Sequence, residues 1–155
     1  MKKYLFITRH GHAKFEAATD FARPLRAKGR KAVENTARFI KENAKKHNLK
    51  PQLCLSSAAL RTTQTAEIIC QVNTITHLIS DESLYATSSN RWLEKITQYQ
   101  AKTLVLVGHN PTFSQMVQNY CGKNIYMKPA NCAFIQLEIK DDGIIYPAKL
   151  LDFHQ

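Results

Sequence analysis

No Cys-x-x-Cys pair occurs in the 155 residues, and Cys54, Cys70, Cys121 and Cys132 stand far apart. That spacing excludes the common zinc and dithiol redox motifs. Apolar neighbours around three of the four fit reduced, buried thiols better than a disulfide framework. Long apolar runs are missing too: none approaches the ~20 residues of a membrane-spanning helix. Near the start only Tyr4-Leu5-Phe6-Ile7 is apolar before Thr8-Arg9-His10. Such a run is too short for the apolar region of a signal peptide, so a cytoplasmic protein is expected. Repeats, linkers and low-complexity tracts are also lacking, and one domain over residues 1–155 is expected.

Acidic residues are scarce. Asp and Glu number 12 against 22 Lys and Arg, for a net charge of +10. The excess lies between Arg23 and Lys50, where only Glu34 and Glu42 oppose it. On a helical wheel Val33, Ala37, Ile40 and Ala44 share one face, with Lys31, Arg38, Lys41 and Lys45 opposite. This is read as a solvated helix face, or as a field that draws an acidic partner or phosphorylated substrate. A nucleic-acid partner is not expected, because aromatics do not interleave with the basic helix and no recognition motif appears.

What is present alternates short apolar strands with helical segments. Lys3-Thr8 reads as a strand, Ala27 to Lys46 as an amphipathic helix, and Gln52-Ser56 as a second strand closed by a Ser-Ser pair suited to capping. Leu60 to Val72 reads as a helix, Ile75 to Ile79 as a short strand, and Ser89 to Tyr99 as a helix bearing Trp92 and Ile96. Thr103-Leu104-Val105-Leu106-Val107 has the continuous apolar character of a strand buried on both faces. Pro111 opens the next helix, where proline is tolerated best. Ala133-Ile139 and Ile144-Leu151 read as a closing antiparallel pair around Asp141-Asp142-Gly143. The pattern predicts an α/β fold: one three-layer domain, a mostly parallel central sheet and helices on both faces.

Three basic groups each follow a predicted strand: His10 the first, Arg61 the second, His109 the buried one. Neighbouring parallel strands would open these loops at one sheet edge, where open α/β sheets bind ligands. Arg9, His10, Arg61 and His109 would then converge with no obvious acidic counter-ion. A cluster of that kind calls for an anion, and guanidinium forks match phosphate oxygens.

Arg9-His10-Gly11, the run Ser56-Ser57-Ala58-Ala59-Leu60-Arg61-Thr62-Thr63-Gln64-Thr65-Ala66, and Gly108-His109-Asn110-Pro111 together resemble the histidine phosphatase (phosphoglycerate mutase-like) superfamily. The likeness spans nearly the whole chain, with the motifs in the family's order. The short length and the segment Asp20-Phe21-Ala22-Arg23-Pro24-Leu25 are similar to the compact SixA-type phosphohistidine phosphatase branch. The resemblance implies that His10 is the nucleophile, that Arg9 and Arg61 hold phosphoryl oxygens, and that His109 donates a hydrogen bond to them. Backbone N–H groups near Asn110 would add donors at a helix start. Arg23 belongs either at the pocket rim or packed over the loop. No metal and no cofactor is implied, since arginines supply the charge.

Hydrolysis of an alkyl phosphate ester needs an acid to protonate the departing alkoxide. Glu82, or its neighbour Asp81, is the candidate, and a solvated surface carboxylate is the competing reading. Phosphohistidine demands less of an acid, so the expected substrate is phosphohistidine on a phosphotransfer protein, cleaved by a domain able to act as a monomer. The alternatives are a phosphomonoesterase for a small metabolite or phosphopeptide, and a non-catalytic anion- or nucleic-acid-binding module.

Overall fold

Leu5 and Ile7 face one side of the first strand and Phe6 the other, and this two-residue alternation organises the molecule. In the computed structural model, which describes residues 1–141 and 143–155, that strand is β1 (Lys2–Arg9). It is followed by α1 (Ala27–Lys46), β2 (Leu53–Ser57), α2 (Leu60–Asn73), β3 (Leu78–Asp81), a 3₁₀ turn (Glu82–Leu84), α3 (Ser89–Gln98), β4 (Thr103–Gly108), α4 (Thr112–Cys121), β5 (Cys132–Lys140) and β6 (Gly143–His154). The sheet order is β3-β2-β4-β1-β5-β6. The pairings β3/β2, β2/β4 and β4/β1 are parallel, and β5 and β6 close the sheet antiparallel.

Each face carries its own core, giving the expected three layers. Phe6, Val105 and Val107 pack under α1 (Val33, Ala37, Ile40) and α2 (Ala66, Ile69). Leu5, Ile7, Leu104 and Leu106 pack under α3 (Trp92, Ile96) and α4 (Phe113, Val117). Every residue of β4 is buried, as its unbroken apolar run requires. The basic residues of α1 stay in solvent, with Lys31, Arg38, Lys41 and Lys45 all exposed.

Three local expectations shift. The third strand is Leu78–Asp81 rather than 75–79, because Thr74 turns left-handed at the end of α2 and Ile75 N–H bonds back to the Cys70 carbonyl. Ser56 and Ser57 do not cap α2: Ala59 holds that position without a side-chain bond. In the expected final turn, Asp142 lies outside the described residues, while β6 itself reaches His154. No described helix is long and apolar enough to cross a membrane.

Candidate active site

Arg9 is the register partner of Gly108 across β1 and β4. The two strands therefore end level, and His10 and His109 leave adjacent carboxyl ends at one height. His10 N–H bonds the Gly108 carbonyl at 3.1 Å, and the two imidazole centroids lie 5.4 Å apart. From β2, beside β4, the chain enters α2, and Arg61 in the first turn of that helix is buried against the same edge. Convergence follows from the parallel order β2-β4-β1.

His10 is 8% exposed and its Nδ1 lies 2.7 Å from the Gly11 carbonyl. A carbonyl only accepts, so Nδ1 carries the proton and Nε2 the free electron pair. Arg61 Nε donates toward that Nε2 at 3.4 Å. Burial first, then His109, Arg61 and Arg9 beside it, push the His10 pKa down to about 3 against the Gly11 hydrogen bond. The imidazole is neutral at pH 7. Gly11 is itself constrained: an added Cβ would meet Val33 Cγ2 at 2.7 Å and the Gly29 carbonyl at 2.9 Å. Its N–H bonds Thr65 Oγ1 at 3.2 Å, tying β1 to α2.

His109 Nε2 lies 2.8 Å from Ser57 Oγ, and its Nδ1 lies 3.5 Å from Arg61 Nη2. Guanidinium only donates, so Nδ1 accepts and Nε2–H donates to Ser57. Burial and the Arg61 charge lower its pKa to about 4. The last residue of β2 thus orients His109 instead of capping the next helix.

The arginines are placed differently. Arg9 Nη1 donates to the Met127 carbonyl at 2.9 Å, while its buried Nε has no partner among the described residues. Arg61 is engaged on each of its three nitrogens. Its Nη1 donates to the Asp20 carbonyl at 2.7 Å and its Nη2 to Asp20 Oδ2 at 3.0 Å. Asp20 also accepts from Arg23 Nη1 at 3.1 Å and from the Tyr85 hydroxyl. The Tyr85 hydrogen bond, then Arg23 and Arg61, hold its carboxyl well below the usual carboxylate range. The expected absence of an acidic counter-ion is therefore corrected: the loop after β1 folds back and lays Asp20 on Arg61. The same loop settles Arg23, which lines the cleft and packs at once, with Nε on the Lys14 carbonyl at 2.6 Å.

Together these residues line a cleft of about 650 Å³ that takes in Arg9, His10, Arg23, Arg61, His109 and Asn110. The Asn110 side chain is committed to scaffolding: Nδ2 donates to the Met127 carbonyl, and Oδ1 accepts from Ser114 N–H and Oγ. Glu82 is exposed and does not line the cleft. The structure does not place it as a general acid, because it lies in the 3₁₀ turn after β3 with its side chain in solvent. Asp81 is likewise spent, accepting from Ser83 and pairing with Lys95 Nζ at 3.1 Å. What reaches the cleft from that segment is Tyr85, packed edge-on to Phe21 and His109. Sequence reading missed Asp20, Ser57, Tyr85 and the Met127 carbonyl. Asp20 and Ser57 carried a signal, since both fall inside quoted motifs, and Tyr85 lies three residues past the candidate Glu82.

No protein-family model matches the chain, and no curated protein sequence does. Solved structures do match. The Agrobacterium tumefaciens protein described as the phosphohistidine phosphatase SixA aligns with a TM-score of 0.80 over 99% of this chain and 97% of that one, at 24% identity. The fold is phosphoglycerate mutase-like. A protein from Nakamurella multipartitia, also described as a SixA, gives a TM-score of 0.80 over 100% of this chain and 96% of its own at 20% identity. The protein histidine phosphatase SixA complexed with tungstate gives 0.79, over 98% and 96%, at 20% identity. This phosphoglycerate mutase-like domain and the SixA structures share one architecture from β1 to β6.

Proposed function

We propose that this chain is a metal-independent phosphatase of the histidine phosphatase superfamily, working through a phosphohistidine on His10. The observation that carries the reading is the fixed Nδ1–H of His10, which leaves Nε2 unprotonated beside Arg61. In the first step the Nε2 electron pair forms a P–N bond as the bond to the leaving group breaks, and the leaving group takes the electrons of the broken bond and a proton from solvent. In the second, water attacks phosphorus, the P–N pair returns to Nε2, and phosphate departs while the water's proton passes to solvent. Arg9 and Arg61 hold the equatorial oxygens where charge spreads, His109 faces them, and backbone N–H groups near Asn110 add donors.

The substrate is phosphohistidine on a partner protein. Asp20 is the one carboxylate lining the cleft among the described residues, and it is held ionised, so no neutral acid stands ready for an alkoxide. A phosphoramidate leaves without that help. The cleft rim carries Phe15, which is 85% exposed, as a protein-sized substrate would use. The alternative of a small phosphate ester is tested directly. Purified protein should dephosphorylate a phosphohistidine-bearing phosphotransfer domain far faster than small esters, with a phosphate mass increment trapped on His10. Equal or reversed preference overturns the substrate. Loss of the increment with turnover intact overturns the nucleophile.

A further inference from the structure

Asp20 stands where an anion is wanted. Its carboxylate gathers donors from Arg61, Arg23 and Tyr85, and two of these three are guanidinium groups at the cleft. The nitrogen it holds on Arg61 is Nη2, the same atom that lies 3.5 Å from His109 Nδ1. It therefore sits on the face of Arg61 turned toward the second histidine, not on an outer edge. Its hold is of a kind that can be released: the Asp20 side chain is 53% exposed, so leaving Arg61 exposes no core. Arg61 would keep its bond to the Asp20 main-chain carbonyl. No mechanistic step above uses this carboxylate.

We propose that Asp20 is a built-in counter-anion, a positioning residue that keeps Arg61 aligned before substrate binds and yields it to the phosphoryl oxygens when substrate arrives. The inference rests on the phosphoryl site proposed above. Competition of this form weakens the hold on every oxyanion alike, and so speeds release of the phosphate product while lowering affinity for free phosphate. Tyr85 shares the role by holding the carboxylate, and its ring contacts with Phe21 and His109 do not depend on the hydroxyl.

The test is calorimetric titration of the intact protein with inorganic phosphate and with tungstate. Asp20→Asn, which keeps the shape and the main-chain carbonyl, should bind both about tenfold tighter, since one negative charge beside the anion is gone. Its kcat should fall as product release slows, and phosphate should inhibit it more strongly. Tyr85→Phe should shift affinity the same way by a smaller factor, and serves alone if Asp20→Asn does not fold. Unchanged or weaker oxyanion binding in folded Asp20→Asn, or in Tyr85→Phe where that variant stands alone, overturns the inference and makes Asp20 a structural tie. Wild-type protein that binds neither anion overturns the phosphoryl site itself, and the inference with it.

Discussion

His10 carries its free electron pair on Nε2 because the Gly11 carbonyl claims Nδ1–H, one residue along the same chain. With pKa values near 3 for His10 and 4 for His109, neither imidazole titrates in the range usual for histidine. We expect kcat/KM, corrected for substrate ionisation, to stay level from about pH 8 to about pH 5. An inflection near the unperturbed histidine value of about 6.5 would overturn the neutral-nucleophile assignment. Ser57 is the second residue-scale test. Ser57→Ala removes the acceptor of His109 Nε2–H, so kcat should fall about tenfold or more while phosphate affinity moves little. Steady-state kinetics paired with titration separates the two effects. The residue types of this site were legible from three motifs, and their hydrogen bonds were not. A tautomer depends on which carbonyl or hydroxyl lies opposite, and no spacing along the chain reports that.

Between elements, the joint of β1, α1 and α2 carries the site. Gly11 lets α1 approach so closely that Val33 and the Gly29 carbonyl fill the space of a Cβ. Gly11→Ala should therefore displace the β1 end, costing about 1–3 kcal/mol of stability by overpacking. Chemical denaturation measures that loss, and activity should fall further than stability because His10 moves with the strand end. Full activity in that variant would show that the close approach is dispensable. The motif residues beyond Arg61 serve the same joint. Thr65 holds Gly11 N–H, Gln64 Oε1 accepts from Leu25 N–H, and Thr62 Oγ1 bonds the Ser57 and Ala59 carbonyls. Helical and apolar periodicity predicted α1, α2, α3 and β4 well, since each buries a long periodic face. The short β3 was misplaced by three residues at its start because a left-handed helix exit precedes it and its own face is only partly buried.

Across the whole molecule, two buried neutral histidines link stability to pH. As pH falls below about 6.5, the unfolded chain takes up protons at both positions, while the folded protein does so only near 4 and 3. The unfolded state then binds more protons, so the contribution of these two histidines to stability should decline through that window, and below it the depressed Asp20 carboxyl carries the decline further. Melting temperatures measured from pH 7 to pH 4 check this, and His10→Asn should flatten the slope. The amino-acid sequence alone determined the α/β class, the three layers, and the identity of Arg9, His10, Arg61 and His109 as residues at or just beyond strand ends. Those follow from local periodicity and from parallel strands that open their loops at one edge. Tertiary structure alone decided that the acidic group at Arg61 is Asp20 and not absent, and that Glu82 falls outside the cleft. It also decided that Ser57 orients His109. Each of these contacts joins segments dozens of residues apart, and only the sheet order and the return of the loop after β1 set their distances.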